Sequence, residues 1–201
     1  MSDSEHMSPL FGEHRCVIEV ANMIPLWHSD EIQAAIVELA TGIDEELKHH
    51  SRVAVVPLMT GAMMFTADVC SALEVLSPGK WEINPIISSA YGNSFEVGDV
   101  ELVVAAGLQE RLDRCSAIII FDDLSDTGAS LSAVRKFLGG FTDYPIKLGV
   151  LVNKTQARRR DVQIDFQCFN YDGGDWLVGY GMDLKGAFRG ARCIGAVSSE
   201  M

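Results

Sequence analysis

Residues 117–130 read AIIIFDDLSDTGAS. A continuous β-branched run such as AIIIF is the signature of a strand buried on both faces, as in a parallel sheet. In an open α/β sheet, ligands bind beyond the carboxyl ends of the strands. Here three carboxylates, Asp122, Asp123 and Asp126, follow the most hydrophobic strand, and a Thr127-Gly128-Ala129-Ser130 turn then opens a helix. Adjacent carboxylates accept hydrogen bonds from a sugar diol or bind a hydrated Mg²⁺, which prefers oxygen ligands. Small residues at a helix N-terminus leave backbone N–H groups free and give room for a phosphate. The Thr127 and Ser130 hydroxyls add donors. A phosphate cradle beside a diol-and-metal grip points to a phosphorylated ribose. The plainer reading has Asp126 cap the helix and the other acids face water; three acids followed by TGAS weigh against it.

The elements that must position this segment follow from hydrophobic periodicity. Ile32, Ile36, Leu39, Ile43 and Leu47 fall on one helix face over 29–47, with Ser29 and Asp30 as N-cap oxygens. Residues 53–58 (VAVVPL) form a strand, 60–62 a turn and 63–76 a helix that stops at Ser77-Pro78-Gly79. Residues 81–88 and 100–105 read as strands, with a polar, mobile-looking loop over 89–99 between them. After the strand at 117–121, Leu131, Val134 and Leu138 mark a helix that ends at Gly139-Gly140. A buried strand is expected at 147–152, an alternating one at 162–169, and short ones at 177–180 and 193–197. Strand and helix alternate, which argues for an α/β fold with a mostly parallel central sheet.

The 201 residues suit a single domain, and 48% hydrophobic residues supply a core without staples. Acids outnumber bases by 28 to 16, a net charge of −12, and the longest basic run is Arg158-Arg159-Arg160, so nucleic acid is not an expected partner. No long apolar window or apolar leader appears, so neither a membrane span nor a secretory signal is expected. Cys16, Cys70, Cys115, Cys168 and Cys193 are scattered, without a C-x-x-C pair, and are read as reduced thiols. His14, His28, His49 and His50 show no metal-ligand spacing. No Walker loop or G-x-S-x-G elbow is present, and Gly179-Tyr180-Gly181 lacks the third glycine of a dinucleotide fingerprint.

The acidic pair followed by Thr-Gly resembles the phosphoribosyl diphosphate (PRPP) motif of type I phosphoribosyltransferases. Over residues 31–197 the chain is similar to the hypoxanthine-guanine phosphoribosyltransferases in particular. DEIQAAIVELA resembles their N-terminal helix, PLMTGAMMFTADV their diphosphate loop, and SSAYGNSFEVGDVEL their flexible loop. LVNKTQARR and DWLVGYGMDLKGAFRG resemble their purine-binding elements. The resemblance implies a type I phosphoribosyltransferase fold over 1–201. In it, residues 1–15 are a polar tail and a small hood subdomain is formed by about 16–28 and 160–201.

It also implies roles. Asp122 and Asp123 would hold the ribose hydroxyls and, with Asp183, Mg²⁺. Asp126 would be the general base toward the purine, and Thr127, Gly128, Ala129 and Ser130 would bind the 5′-phosphate. Thr60, Gly61, Arg158 and Arg189 would lie near diphosphate. Lys154 would contact the purine 6-oxo group, Trp176 would stack on the base and Leu177 would meet its edge. Ala90 and Tyr91 would belong to the flexible loop. Taken singly, Lys154, Trp176 and Asp183 are an ordinary lysine, packing residue and turn residue; their order behind the acidic motif carries the functional reading. Arg159 is as well placed as Arg158.

The implied activity is Mg²⁺-dependent transfer of a 5-phosphoribosyl group from PRPP to hypoxanthine, guanine or xanthine. The enzyme would be a cytoplasmic homo-dimer or homo-tetramer. Thr60 stands where lysine is frequent, Ala90-Tyr91 where Ser-Tyr is usual, Asp122-Asp123 where Glu-Asp is common, and Ser125 where an apolar residue is usual. Thr60 and Ala90 keep open a PRPP-binding regulator without turnover, and Trp176, which leaves the size of the pocket open, a transferase of the same fold for another base.

Overall fold

A computed structural model describes residues 23–90, 100–155 and 162–198. In chain order the first elements are β1 (Met23–Trp27), α1 (Ser29–Glu46), β2 (Val53–Met59) and α2 (Met63–Leu76). β3 (Trp81–Ile83), β4 (Ile86–Ala90), β5 (Val100–Val104) and α3 (Leu108–Leu112) follow. β6 (Ala117–Ser125), α4 (Ala129–Leu138), β7 (Ile146–Lys154), β8 (Phe166–Tyr171), β9 (Trp176–Val178) and β10 (Ile194–Val197) complete the fold.

The central sheet has the order β5-β4-β2-β6-β7-β8, with β3 also paired to β2. All its pairings are parallel except β4 with β5. Successive side chains of β6 point to opposite faces of the sheet. Ile119 and Phe121 therefore join Phe65 and Val69 of α2 and Ile32, Ile36 and Ile43 of α1 in one core layer. Ile118 and Ile120 join Leu131, Val134 and Leu138 of α4 in the other. This double burial is what the β-branched run of β6 encodes.

Several boundaries differ from the sequence reading for local reasons. The cap of α1 is His28, whose backbone N–H donates to Glu31 Oε2 at 2.8 Å, one residue before the expected Ser29 and Asp30. The expected strand over 81–88 is broken in two. Pro85 has no N–H to give a ladder, and the buried Asn84 donates its own N–H to Val55 O at 2.8 Å while its Oδ1 accepts from Arg111 Nε at 2.6 Å. The short α3 was not anticipated; it starts after Gly107, at φ 73°, and buries Leu108 and Leu112. Cys70, Cys115 and Cys168 are free thiols, whereas Cys193 is disulfide-bonded, unlike the reduced state expected of it.

The small second sheet is antiparallel, in the order β1-β10-β9. It brings residues 23–27, 176–178 and 194–197 together, and its Trp176 and Leu177 line one cleft with Asp122 and Asp123 at the carboxyl end of β6. β8, which the sequence reading places in this hood, instead pairs parallel with β7. It begins at Phe166, after Asp165 has exchanged bonds with Leu148: the Leu148 N–H donates to Asp165 Oδ2 at 2.8 Å and the Asp165 N–H donates to Leu148 O at 3.0 Å. Among the described residues no helix is long and apolar enough to cross a membrane.

Phe121 is fully buried, edge-on to Phe65 at 5.4 Å between ring centroids, and it lies over Gly149, where a Cβ would sit 2.7 Å from the Phe121 ring. Phe121→Ala is expected to cost about 3–5 kcal/mol in urea unfolding, and Gly149→Ala about 1–3 kcal/mol by overpacking. Losses under about 1 kcal/mol for both would contradict this packing.

Candidate active site

β6 extends to Ser125, four residues beyond the expected end. Asp122 and Asp123 are therefore part of the strand, and their carboxyl groups remain within hydrogen-bond reach of one another and line one cleft. The strand's pairing with β7 continues through Asp122↔Val150, Leu124↔Val152 and Ser125↔Asn153, so the ladder runs on either side of Asp123. Asp123 is buried and Asp122 half-buried.

Two glycines make the space for Asp123. A Cβ on Gly61 would lie 2.5 Å from both Asp123 carboxylate oxygens. A Cβ on Gly181, at φ 106°, would lie 2.1 Å from Gly61 O and 3.3 Å from Asp123 Cβ. Backbone from the β2–α2 turn and from the loop after β9 thus closes directly over the acidic pair. The Met59–Thr60 peptide in that turn is cis.

Burial holds Asp122 well above its ordinary carboxylate range, and the charge of Asp123 adds to the effect. Burial also raises Asp123, opposed by the hydrogen bond from Asp122 and by the positive charge of Arg189. The Asp123 N–H donates to Asp122 Oδ1 at 3.0 Å. Such a pair favours a proton, a diol donor or a cation as company.

After Ser125 the chain turns through Asp126, Thr127 and Gly128. Gly128 adopts φ 76° and is the N-cap of α4, without any side-chain capping bond. Asp126 therefore does not cap the helix. One of its carboxylate oxygens is buried without a hydrogen-bond partner, as is Ser125 Oγ. The Ala129 N–H reaches Thr127 Oγ1 at a long 3.4 Å, and the first turn of α4 leaves its N–H groups without intrahelical acceptors. The start of α4 is therefore open to an anion.

Lys154 ends β7, is buried, and donates from Nζ to Asp175 O at 2.9 Å. The Asp175 carboxylate in turn accepts from Tyr171 OH at 2.5 Å. Trp176, 56% exposed, opens β9, and Leu177 beside it is buried. The Trp176 indole N–H donates to the backbone O of Asp183 at 2.6 Å. Both carboxylate oxygens of Asp183 are engaged, Oδ1 by Arg189 Nη2 at 2.5 Å and Oδ2 by the Gly186 N–H at 2.7 Å. Arg189 Nη1 also donates to Gly181 O at 2.6 Å.

These groups share one cleft of about 300 Å³. Its lining includes Thr60, Gly61, Asp122, Asp123, Asp126, Ser130, Lys154, Trp176, Leu177, Asp183 and Arg189. Thr127, Gly128 and Ala129 form the turn beneath it. Ala90 ends β4, whose Ser88 lines the cleft; Tyr91 and Arg158 lie outside the described residues. Sequence reasoning passed over Ser88, Met59 and Met182, which also line it, and the structural part played by Gly181. The Gly-Tyr-Gly spacing was the available signal for Gly181.

Among the described residues no group of three or more His, Cys, Asp or Glu is placed to hold a metal ion. Mg²⁺, however, is commonly held by one or two carboxylates together with substrate phosphates and water. The buried Asp122–Asp123 pair fits that demand. Asp183, expected as a metal carboxylate, stands here as the ion-pair partner of Arg189 and would have to exchange it.

The family model of the phosphoribosyl transferase domain matches residues 28–183. The hypoxanthine phosphoribosyltransferase of Salmonella typhimurium is 31% identical over 169 residues, covering 83% of this chain and 90% of that protein. The chain belongs to the hypoxanthine-guanine phosphoribosyltransferase family. The hypoxanthine-guanine phosphoribosyltransferase of Staphylococcus epidermidis is 24% identical over 88% of this chain and 94% of its own length. In structure the chain resembles a Trypanosoma cruzi hypoxanthine phosphoribosyltransferase in a ternary substrates complex. The TM-score is 0.78 at 24% identity, over 91% of this chain and 98% of the other. That likeness establishes the type I phosphoribosyltransferase fold, with its mostly parallel sheet and added antiparallel layer.

Two outcomes follow from the acidic pair. Both folded-state values lie above the ordinary 3.8, so the folded chain keeps protons that the unfolded chain has released. Stability from this pair is full below the ordinary value and is lost as pH rises through the raised ones. Asp122→Asn is expected to unfold at higher urea than the parent near about pH 7, with the margin shrinking toward about pH 4. A margin that grows on acidification would refute the assignment. Gly61→Ala is expected to cost about 1–3 kcal/mol by overpacking and about 10²-fold in kcat/KM by displacing the Asp123 carboxylate; unchanged kinetics would show that the close approach has no functional weight.

Proposed function

We propose that this phosphoribosyltransferase moves the 5-phosphoribosyl group of PRPP to a 6-oxopurine and releases diphosphate. The observation that carries the reading is the buried, unpartnered carboxylate oxygen of Asp126 in the same cleft as Lys154 and Trp176. A carboxylate so placed accepts the proton that the purine loses as it attacks the sugar. The Lys154 ammonium donates and cannot accept, so it selects a 6-oxo group over the 6-amino group of adenine. Trp176 offers an exposed aromatic face for stacking. Asp122 and Asp123 orient the ribose hydroxyls, and the N-terminus of α4 with Thr127 and Ser130 takes the 5′-phosphate. Thr60, Gly61 and Arg189 stand where the diphosphate would lie, and Arg189 stabilises the charge that develops there.

Mg²⁺, held through PRPP oxygens and the Asp122–Asp123 pair, would supply further charge stabilisation to the leaving group. The proposed setting is a cytoplasmic homo-dimer or homo-tetramer without nucleic-acid partners. The net charge of −12 supports the last point. The exposed Ile87 and Val103, paired on neighbouring strands, support self-association.

The test is to incubate the protein with PRPP and Mg²⁺ and, separately, hypoxanthine, guanine, xanthine and adenine, and to separate the nucleotides by chromatography. IMP or GMP is expected, and no AMP. PRPP binding without product from any base would overturn the reading in favour of a regulator that keeps the pocket. Asp126→Asn is expected to lower kcat by about 10²–10⁴-fold while PRPP binding persists; turnover equal to the parent would remove Asp126 from its role.

A further inference from the structure

The 6-oxopurines differ at the 2-position: hypoxanthine carries hydrogen there, guanine an amino donor and xanthine an oxo acceptor. Beside Trp176, the acceptors of Asp183 and the carbonyl of Asp175 each already take a donor. Asp183 O takes the Trp176 indole N–H at 2.6 Å. The Asp183 carboxylate is held by Arg189 and the Gly186 N–H, at 2.5 and 2.7 Å. Asp175 O takes Lys154 Nζ at 2.9 Å. The donors are less exhausted, because the Lys154 ammonium has further N–H bonds to give.

We infer that Trp176 is a specificity-determining residue. By filling the Asp183 carbonyl with its indole N–H, it sets the cleft against a purine 2-amino group and favours hypoxanthine over guanine. The inference rests on the 6-oxopurine reading above. A base stacked on the exposed Trp176 ring with its 6-oxo group toward Lys154 turns its six-membered ring to this wall, where Asp183 also lines the cleft. A 2-amino group arriving there must share the Asp183 carbonyl with the indole or displace it. Sharing leaves the amino group the second lone pair of an oxygen already held at 2.6 Å, a poorer acceptor than water, and displacement forfeits the indole bond; either loss discriminates between otherwise similar substrates. A side chain with an aromatic face but no N–H would leave that carbonyl free.

Trp176→Phe makes that change alone, keeping a ring to stack and removing the donor. The ring is largely exposed, so its replacement leaves the core intact. The readout is kcat/KM for hypoxanthine, guanine and xanthine in parent and variant. The parent is expected to prefer hypoxanthine to guanine. In the variant, the guanine-to-hypoxanthine ratio is expected to rise about tenfold, mainly through KM for guanine, with no matching gain for xanthine. An unchanged or lower ratio overturns the inference. An equal gain for all three bases also overturns it, since that would mark a wider pocket and no relieved carbonyl. A parent that prefers guanine overturns it as well. If the parent forms no nucleotide from any of the three, the 6-oxopurine reading fails and this inference fails with it. Nucleotide formation with an unmoved ratio would sink only the inference.

Discussion

The structure turns on two adjacent carboxylates placed at the buried end of its central strand. Ionising both Asp122 and Asp123 there is unfavourable, by burial and by mutual repulsion. The fold accepts this through the elements around them. β2 and β7 flank β6 and fix its pleat. Gly61 and Gly181 bring bare backbone against Asp123, and any side chain at either would displace its carboxylate or the facing carbonyl. A pair so placed is ready for hydroxyl donors or a cation, as the proposed sugar-diol role would require.

The loop that lies over the pair is tied to the far side of the core. Tyr180 sits between Gly179 and Gly181, with all three at positive φ, and its ring is fully buried. Its hydroxyl donates to Asp68 of α2. Gln33 of α1 donates to the same Asp68 oxygen at 2.6 Å and to the Tyr180 hydroxyl at 3.1 Å. From the other side Arg189 grips Gly181 O and the Asp183 carboxylate. Gly181 is therefore anchored through both helices of one face, and the closing of the cleft depends on residues more than a hundred positions apart in the chain.

Much of this was legible in the sequence where periodicity and chemistry coincided. The β-branched run of β6, the apolar stripe of α1 and the TGAS turn each announce their structure, because local pattern and tertiary environment agree. The acidic pair was legible as chemistry but misplaced by the hydrophobicity criterion, which ends a strand at the first charge; pairing with β7 carries the strand on through Ser125. The break at Pro85 and the grouping of β8 with the main sheet depend on which strand sits beside which, information that a single chain does not carry locally. The engagement of Asp183 by Arg189, and of its carbonyl by Trp176, depends on the turn geometry between them and could not be read from residue types.

The charges of the cleft explain why its ligand must bring its own compensation. Asp122, Asp123, Asp126 and Asp183 line it against Lys154 and Arg189. Arg189 is already committed to Asp183 at 2.5 Å, and Lys154 to a carbonyl at 2.9 Å. A polyanion meeting this arrangement alone would be repelled by the remaining carboxylates and attracted mainly by the N–H groups at the start of α4. Under the proposed function, the same polyanion carrying a divalent cation would reverse the balance, because the cation would answer the Asp122–Asp123 pair while the phosphate oxygens faced the helix and the backbone of Gly61. The carboxylates that burial disfavours would then be the ones that the incoming charge stabilises. The energetic cost of placing them at the end of β6 would become differential affinity for a metal-complexed, phosphorylated sugar.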